Sequence, residues 1–193
     1  MLLSEAIEAL ATATKVNGRS AQTVKDYRRR LGYLLAFLGD VQVETITVHD
    51  LRRYIAHLMD RPSRYEDHHI CAPRSGGLSP FTVASHVRSL KRLFNWLVEE
   101  EILITSPTRR IKTPSPRRRN PKGITRDDLL ALLKTTEGDD LLNIRDRALI
   151  LFLTDTGCRV GGLCRLTLHD VDLDKRLATV TEKGEKTRSV PFG

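Results

Sequence analysis

The chain is poor in aromatic side chains, in cysteine and in long apolar runs. Aromatics make up 5% and Trp96 is the single tryptophan. Hydrophobic residues still make up 40%, so any core must be mostly aliphatic, and disorder throughout is excluded. Cys71, Cys158 and Cys164 are an odd number without framework spacing. That excludes a disulfide scaffold and makes a reducing cytosol the expected, cytoplasmic setting. No stretch approaches the roughly 18 apolar residues of a membrane span, so no membrane partner is expected. The opening MLLSEAIEALATATKV lacks a basic start and carries Glu5 and Glu8. It reads as an amphipathic helix rather than a signal peptide.

Residues 106–122 contain no acidic side chain, and this local absence explains most of the net charge of +8. Residues 1–105 hold 14 basic and 12 acidic groups, a balance of +2; 106–122 hold 7 basic and none acidic; 123–193 hold 11 basic and 12 acidic, a balance of −1. An excess gathered in one segment suits a polyanion contacted at a particular place better than a uniformly basic surface.

The 193 residues allow two small domains. Residues 1–105 read as a helical unit. A first helix spans about 4–14. Ser20 caps a second in which Val24, Tyr27, Leu31, Leu34, Leu35 and Leu38 recur at helical spacing until Gly39. Thr47 caps a third with Leu51, Tyr54, Ile55 and Leu58. Residues 60–77 are a polar loop. Ser79-Pro80 starts a fourth helix that buries Val83, Val87, Leu90, Phe94 and Leu97. Four such helices make a small bundle. Residues 106–122, with four prolines, are expected to be an extended linker. In 123–193, Thr125 and Asp128 form a capping box. Residues 140–156 read as a buried helix carrying Leu141, Leu142, Ile144, Leu149, Leu151 and Phe152, closed by Gly157. A short helix over 160–166 follows, and then a β-hairpin, LATVT and RSVPF flanking EKGEK with Gly184 in the turn.

Three ordered motifs stand out: the turn Thr156-Gly157-Cys158-Arg159; Leu163 to Leu168 leading into Asp170-Val171; and Glu182-Lys183-Gly184-Glu185-Lys186-Thr187-Arg188-Ser189-Val190-Pro191. Together with SAQTVKDYRRRL and SPFTVASHVRSLKRLFNWL upstream, they resemble the tyrosine recombinase (phage integrase) family of Xer-like site-specific recombinases, in order, from about residue 3 to the end. The resemblance implies a mainly α fold: a four-helix SAM-like core-binding bundle over 1–105, a basic Pro-rich linker over 106–122, and over 123–193 the N-terminal part of an α+β catalytic domain.

It also implies a chemistry. A tyrosine attacks a DNA phosphodiester, forming a 3′-phosphotyrosyl intermediate and a free 5′-hydroxyl, with no metal or other cofactor. Fixed cations must then meet the charge of the phosphorane. Arg159 matches the first catalytic arginine, whose planar fork suits phosphate. Lys183 matches the hairpin lysine that protonates the leaving oxygen. The implied partner is double-stranded DNA, with other recombinase protomers beside it. Candidate DNA contacts are Arg19, Lys25 and Arg28 on the second helix, Arg88, Lys91 and Arg92 on the fourth, Arg109, Arg110, Arg117, Arg118, Arg119 and Lys122 in the linker, and Lys186 on the hairpin. Taken singly, Arg159 also fits a surface arginine neutralising a helix C-terminus, Lys183 an ordinary turn lysine, and the linker cations a solvated run.

Two departures stand against the pattern. The acidic residue usual three places after the first arginine is Gly162 here, following Gly161. The expected His-x-x-Arg box, further His or Trp, and tyrosine do not follow the hairpin; Tyr27, Tyr33, Tyr54 and Tyr65 all lie in the N-terminal unit. The chain therefore reads as truncated and as binding DNA without cleaving it. A non-catalytic DNA-site-binding regulator and a decayed integrase remnant are the alternatives. His68, His69 and Cys71 are three possible metal ligands without a second pair, and an incidental polar loop is preferred there. Phe94 and Trp96 are assigned to the core rather than to base stacking, and Cys158 and Cys164 to helix packing.

Overall fold

The computed structural model describes residues 1–64, 70–116, 120–182 and 184–193, and divides into two compact units, Met1–Arg119 and Asn120–Gly193. Among the described residues no helix is long and apolar enough to cross a membrane.

The first unit is helical: α1 (Leu3–Val16), α2 (Ala21–Leu38), α3 (Val48–Asp60) and α4 (Pro80–Glu99). The start signals are those of the sequence. The Ser20 and Ser79 hydroxyls accept from the Thr23 and Thr82 N–H groups, and Pro80 occupies the first turn of α4. Thr47 and Asp50 form a reciprocal capping box on α3. Gly39 ends α2 with φ 77°, a left-handed value that glycine adopts without strain. The core gathers Leu3, Leu10, Leu31, Leu34, Leu51, Tyr54, Leu58, Leu90, Leu93, Phe94 and Leu97, each at most 1% exposed. Trp96 belongs to the same core. The polar loop is pinned at its base by two short antiparallel strands, β1 (Ser63–Arg64) and β2 (Arg74–Ser75).

The linker expected over 106–122 begins later than the sequence suggested. Pro107–Arg110 form a 3-10 turn that contacts α3 and α4, Thr108 is buried, and Ile111 joins the bundle core at 7% exposure. A single apolar residue has no periodicity to betray it, and the prolines masked a turn that packs rather than extends. Arg117, Arg118 and Arg119 lie outside the described residues.

The second unit contains α5 (Arg126–Lys134), α6 (Leu141–Thr156), α7 (Val160–Leu163) and an antiparallel sheet of β3 (Val171–Asp172), β4 (Leu177–Glu182) and β5 (Lys186–Pro191) in the order β3-β4-β5. The expected hairpin is present, with Gly184 at φ 85°, and β3 adds a third strand. Its core is small: Cys158, Ala178, Val180 and Val190 are buried, with Phe152, Leu153, Leu163 and Phe192 packed around them. The expectation of a buried α6 is overturned. No residue of α6 is buried, and Leu141 and Leu142 are 81% and 60% exposed. Its apolar residues surround the helix, but only the strip near Phe152 and Leu153 reaches that core. Cys164, expected to pack, is exposed.

Candidate functional site

In the first unit, the candidate cations separate into two kinds. Some are tied up. Arg28 pairs with Glu8 of α1 at 2.6 Å through three hydrogen bonds, and Arg92 pairs with Glu99 at 3.2 Å. Each pair is locally neutral, so these two arginines are poorer phosphate ligands than their place in the sequence suggested. Arg88 donates to the Ser85 hydroxyl at 2.8 Å, which leaves its charge unopposed by that contact. Arg19, Lys25, Arg109 and Arg110 are exposed, as is Lys122 of the second unit.

Packing brings some of them together. Lys91 and Asn95 of α4 face Thr105, Ser106, Thr108 and Arg109 across one cleft. Arg52, Ile55 and Met59 of α3 face Arg110, Ile111 and Lys112 across another. Both clefts exist because the 3-10 turn folds back on the bundle. The Ser106 and Thr108 hydroxyls bond each other at 2.7 Å, and Asn95 and the exposed Thr105 stand as neutral donors beside the two cations, a set suited to a phosphate and its ester oxygens. Arg52, Asn95, Thr105 and Lys112 were missed in the sequence because nothing in their spacing unites α3, α4 and a proline-rich segment.

In the second unit, the site is built on the turn that closes α6. Gly157 takes the left-handed conformation, φ 58° and ψ 21°, and its N–H donates to the Leu153 carbonyl. Cys158 then buries its side chain in the core. Arg159 follows as the residue that starts α7; its carbonyl accepts from the Gly162 and Leu163 N–H groups at 2.8 and 3.2 Å. Its guanidinium is consequently projected from a fixed backbone, and the side chain is 69% exposed.

Glu182, at the end of β4, was missed as a site residue. One of its carboxylate oxygens accepts from the Arg159 backbone N–H at 3.0 Å, and the other pairs with the Arg159 guanidinium. Arg188 of β5 lies 3.6 Å from the first oxygen. The hydrogen bond from the Arg159 N–H, helped by the Arg159 and Arg188 guanidinium charges, holds the Glu182 carboxyl below its ordinary range against the opposing effect of burial. Glu182 opens the hairpin motif, but nothing in its spacing ties it to Arg159, 23 residues earlier. Lys186 stands opposite Glu182 in the β4–β5 register and is exposed. Lys183, the expected proton donor, lies outside the described residues. His49-Asp50-Leu51-Arg52 has the literal His-x-x-Arg spacing, but it occupies the first turn of α3 in the other unit.

Among the described residues no group of three or more His, Cys, Asp or Glu could hold a metal; His68 and His69 lie outside them.

Both units carry the marks of one class. The phage integrase SAM-like domain family matches residues 2–113 and the phage integrase family matches residues 122–193, so the chain belongs to the phage integrase, or tyrosine recombinase, family. Among curated relatives, it is 32% identical over 182 residues to tyrosine recombinase XerC of Mycobacterium bovis, covering 91% of this chain and 56% of that protein. It is 30% identical over 177 residues to tyrosine recombinase XerC of Xanthomonas campestris, covering 90% and 50%. The chain thus spans about half the length of the curated relatives it matches. Its fold is shared with lambda integrase in a dimer bound to a COC′ core site, at TM-score 0.75 and 17% identity over 99% of this chain and 62% of that one. It is also shared with the Tn1549 transposon integrase in complex with a circular intermediate DNA, at TM-score 0.66 and 20% identity over 97% and 61%.

Proposed function

We propose that this chain binds double-stranded DNA as the core-binding domain and first catalytic segment of a tyrosine site-specific recombinase. The observation that carries the proposal is the meeting of Lys91 on α4 with Arg109 on the 3-10 turn in one cleft lined by hydroxyls. Phosphates of one strand dock there, with Arg88, Arg110 and Lys112 along the same surface chemistry and Arg117, Arg118, Arg119 and Lys122 continuing it in sequence. Arg159 contacts the phosphate at which strand exchange takes place, Lys186 contacts the backbone nearby, and Lys183 supplies the proton to the leaving 5′-oxygen. Other recombinase protomers bind beside it, as the dimeric lambda integrase complex with its core site suggests.

In this proposal the chain by itself binds without cutting. All four of its tyrosines precede residue 66, and Tyr54 is buried against His86 in the bundle core, where no phosphodiester can reach it.

The test is a salt titration of binding to a fluorescent duplex. Neutralising about 6–8 phosphates predicts a log–log slope of roughly −5 to −7. Lys91→Ala with Arg109→Ala should make the slope shallower by about 1.8, at roughly 0.9 per phosphate. Arg28→Ala should leave it unchanged, because that charge already has Glu8. A slope near zero in the wild type refutes DNA binding.

A further inference from the structure

We propose that Glu182 is the residue that positions Arg159, supplying from strand β4 the carboxylate that Gly162 has no room to carry. The inference rests on the reading of Arg159 as the phosphate-binding arginine, and it concerns how that arginine is held.

One carboxylate makes both contacts. The Arg159 backbone N–H reaches one oxygen at 3.0 Å, and the guanidinium reaches the other. The first contact fixes where the α6–α7 turn sits over the sheet, and the second fixes where the side chain points from it. The asymmetry of exposure fits this division of labour: the Glu182 side chain is 11% exposed, that of Arg159 69%. The carboxylate is the anchored partner, and the arginine presents its remaining N–H donors outward, where an anion can take them. Arg188 shares the same carboxylate from β5 at 3.6 Å. Two guanidinium groups around one carboxylate leave a net positive charge, so holding Arg159 does not cancel its attraction for phosphate.

Gly162 explains why the carboxylate comes from the strand. A Cβ at that position would lie 2.5 Å from Val180 Cγ1 and 3.6 Å from Glu182 Cγ. Val180 is fully buried, so it cannot move aside cheaply. The first turn of α7 therefore lies directly on β4, and any side chain at 162 would push them apart. Gly162 stands where an acid is usual in the recombinase pattern, and the carboxylate beside Arg159 comes instead from Glu182 on the strand against which that glycine packs.

The experiment uses the whole chain, labelled with ¹⁵N, and observes the Arg159 Nε–Hε group. In the wild type its order parameter should lie near the rigid range, about 0.85, and in Glu182→Ala it should fall below about 0.6, the flexible range. Glu182→Gln, which keeps the shape and removes the charge, guards against a variant that simply unfolds; it should loosen Arg159 while the amide spectrum of β4 and β5 stays dispersed. Acidification through the Glu182 titration should loosen Arg159 in the wild type and change nothing in Glu182→Gln. An Arg159 equally ordered in all three proteins overturns the proposal. Duplex affinity separates this outcome from failure of the functional reading. Glu182→Gln should weaken binding when Arg159 is present and have no further effect in an Arg159→Ala background. If Arg159→Ala leaves affinity unchanged while Arg159 still loosens without Glu182, the positioning stands and the DNA role of Arg159 falls.

Discussion

His86 makes the stability of the helical bundle depend on pH, by about 2 kcal/mol between pH 7 and pH 5. The ring is 6% exposed on α4, and its Nδ1 lies 3.0 Å from the Tyr54 hydroxyl. Tyr33 stands at its edge, with ring centroids 5.6 Å apart. Burial, followed by the nearby charges of Arg30, Arg29 and Arg61, pushes its pKa down from 6.5 to about 4. The unfolded chain therefore binds more protons than the folded one between those values. The stabilisation is present above about pH 6.5 and is lost as pH falls toward 4. At 1.36 kcal/mol per unit, lowering the pH from 7 to 5 removes about 2 kcal/mol, a large part of the margin of a small domain. Asp40, Glu44 and Asp50, whose carboxyls are held below their ordinary values by hydrogen bonds from Ser4, from the Glu44 N–H and the N-terminus, and from Thr47, lose their contribution at lower pH than this window. Trp96 is the single tryptophan and sits in this core, so its fluorescence during urea unfolding reports the bundle alone. The wild type should lose about 2 kcal/mol between pH 7 and pH 5, and His86→Gln, neutral throughout, should lose far less. Equal losses in the two proteins would refute a buried, neutral His86.

Two further outcomes test the architecture. Ile111→Ala should destabilise the Trp96-reported transition by about 2–5 kcal/mol, the cost of emptying a core position; a change below about 0.5 kcal/mol, typical of a surface site, would return Ile111 to the linker. Limited digestion with thermolysin should cut within 123–193, where α5 and α6 bury no residue, and leave a resistant fragment that extends past Ile111 rather than ending near 105. Equal resistance of the two units would contradict the difference in their cores.

Much of the fold was legible because it is locally encoded. Ser20, Thr47, Ser79 and Thr125 announce their helices through hydrogen bonds spanning two or three residues, and Gly39, Gly157 and Gly184 mark turns that need positive φ. The periodic apolar face of α4 is its buried face, since Val83, Val87, Leu90, Phe94 and Leu97 are all in the interior. Where periodicity was lacking, the sequence misled. Ile111 looked like part of a linker, and the leucines around α6 looked like a core.

The candidate site divides along the same line. Residue types and spacing determined that Arg159 sits just past a helix end, that a glycine-turned hairpin follows, and that cations crowd residues 106–122. Tertiary structure alone decided which charges remain available, because an ion pair forms between residues far apart in the chain. Glu8 claims Arg28 across two helices and Glu99 claims Arg92, whereas Lys91 and Arg109 are left to share a cleft. It also decided that Glu182 stands beside Arg159, 23 residues away, because the close packing of Gly162 on Val180 brings that turn and that strand together.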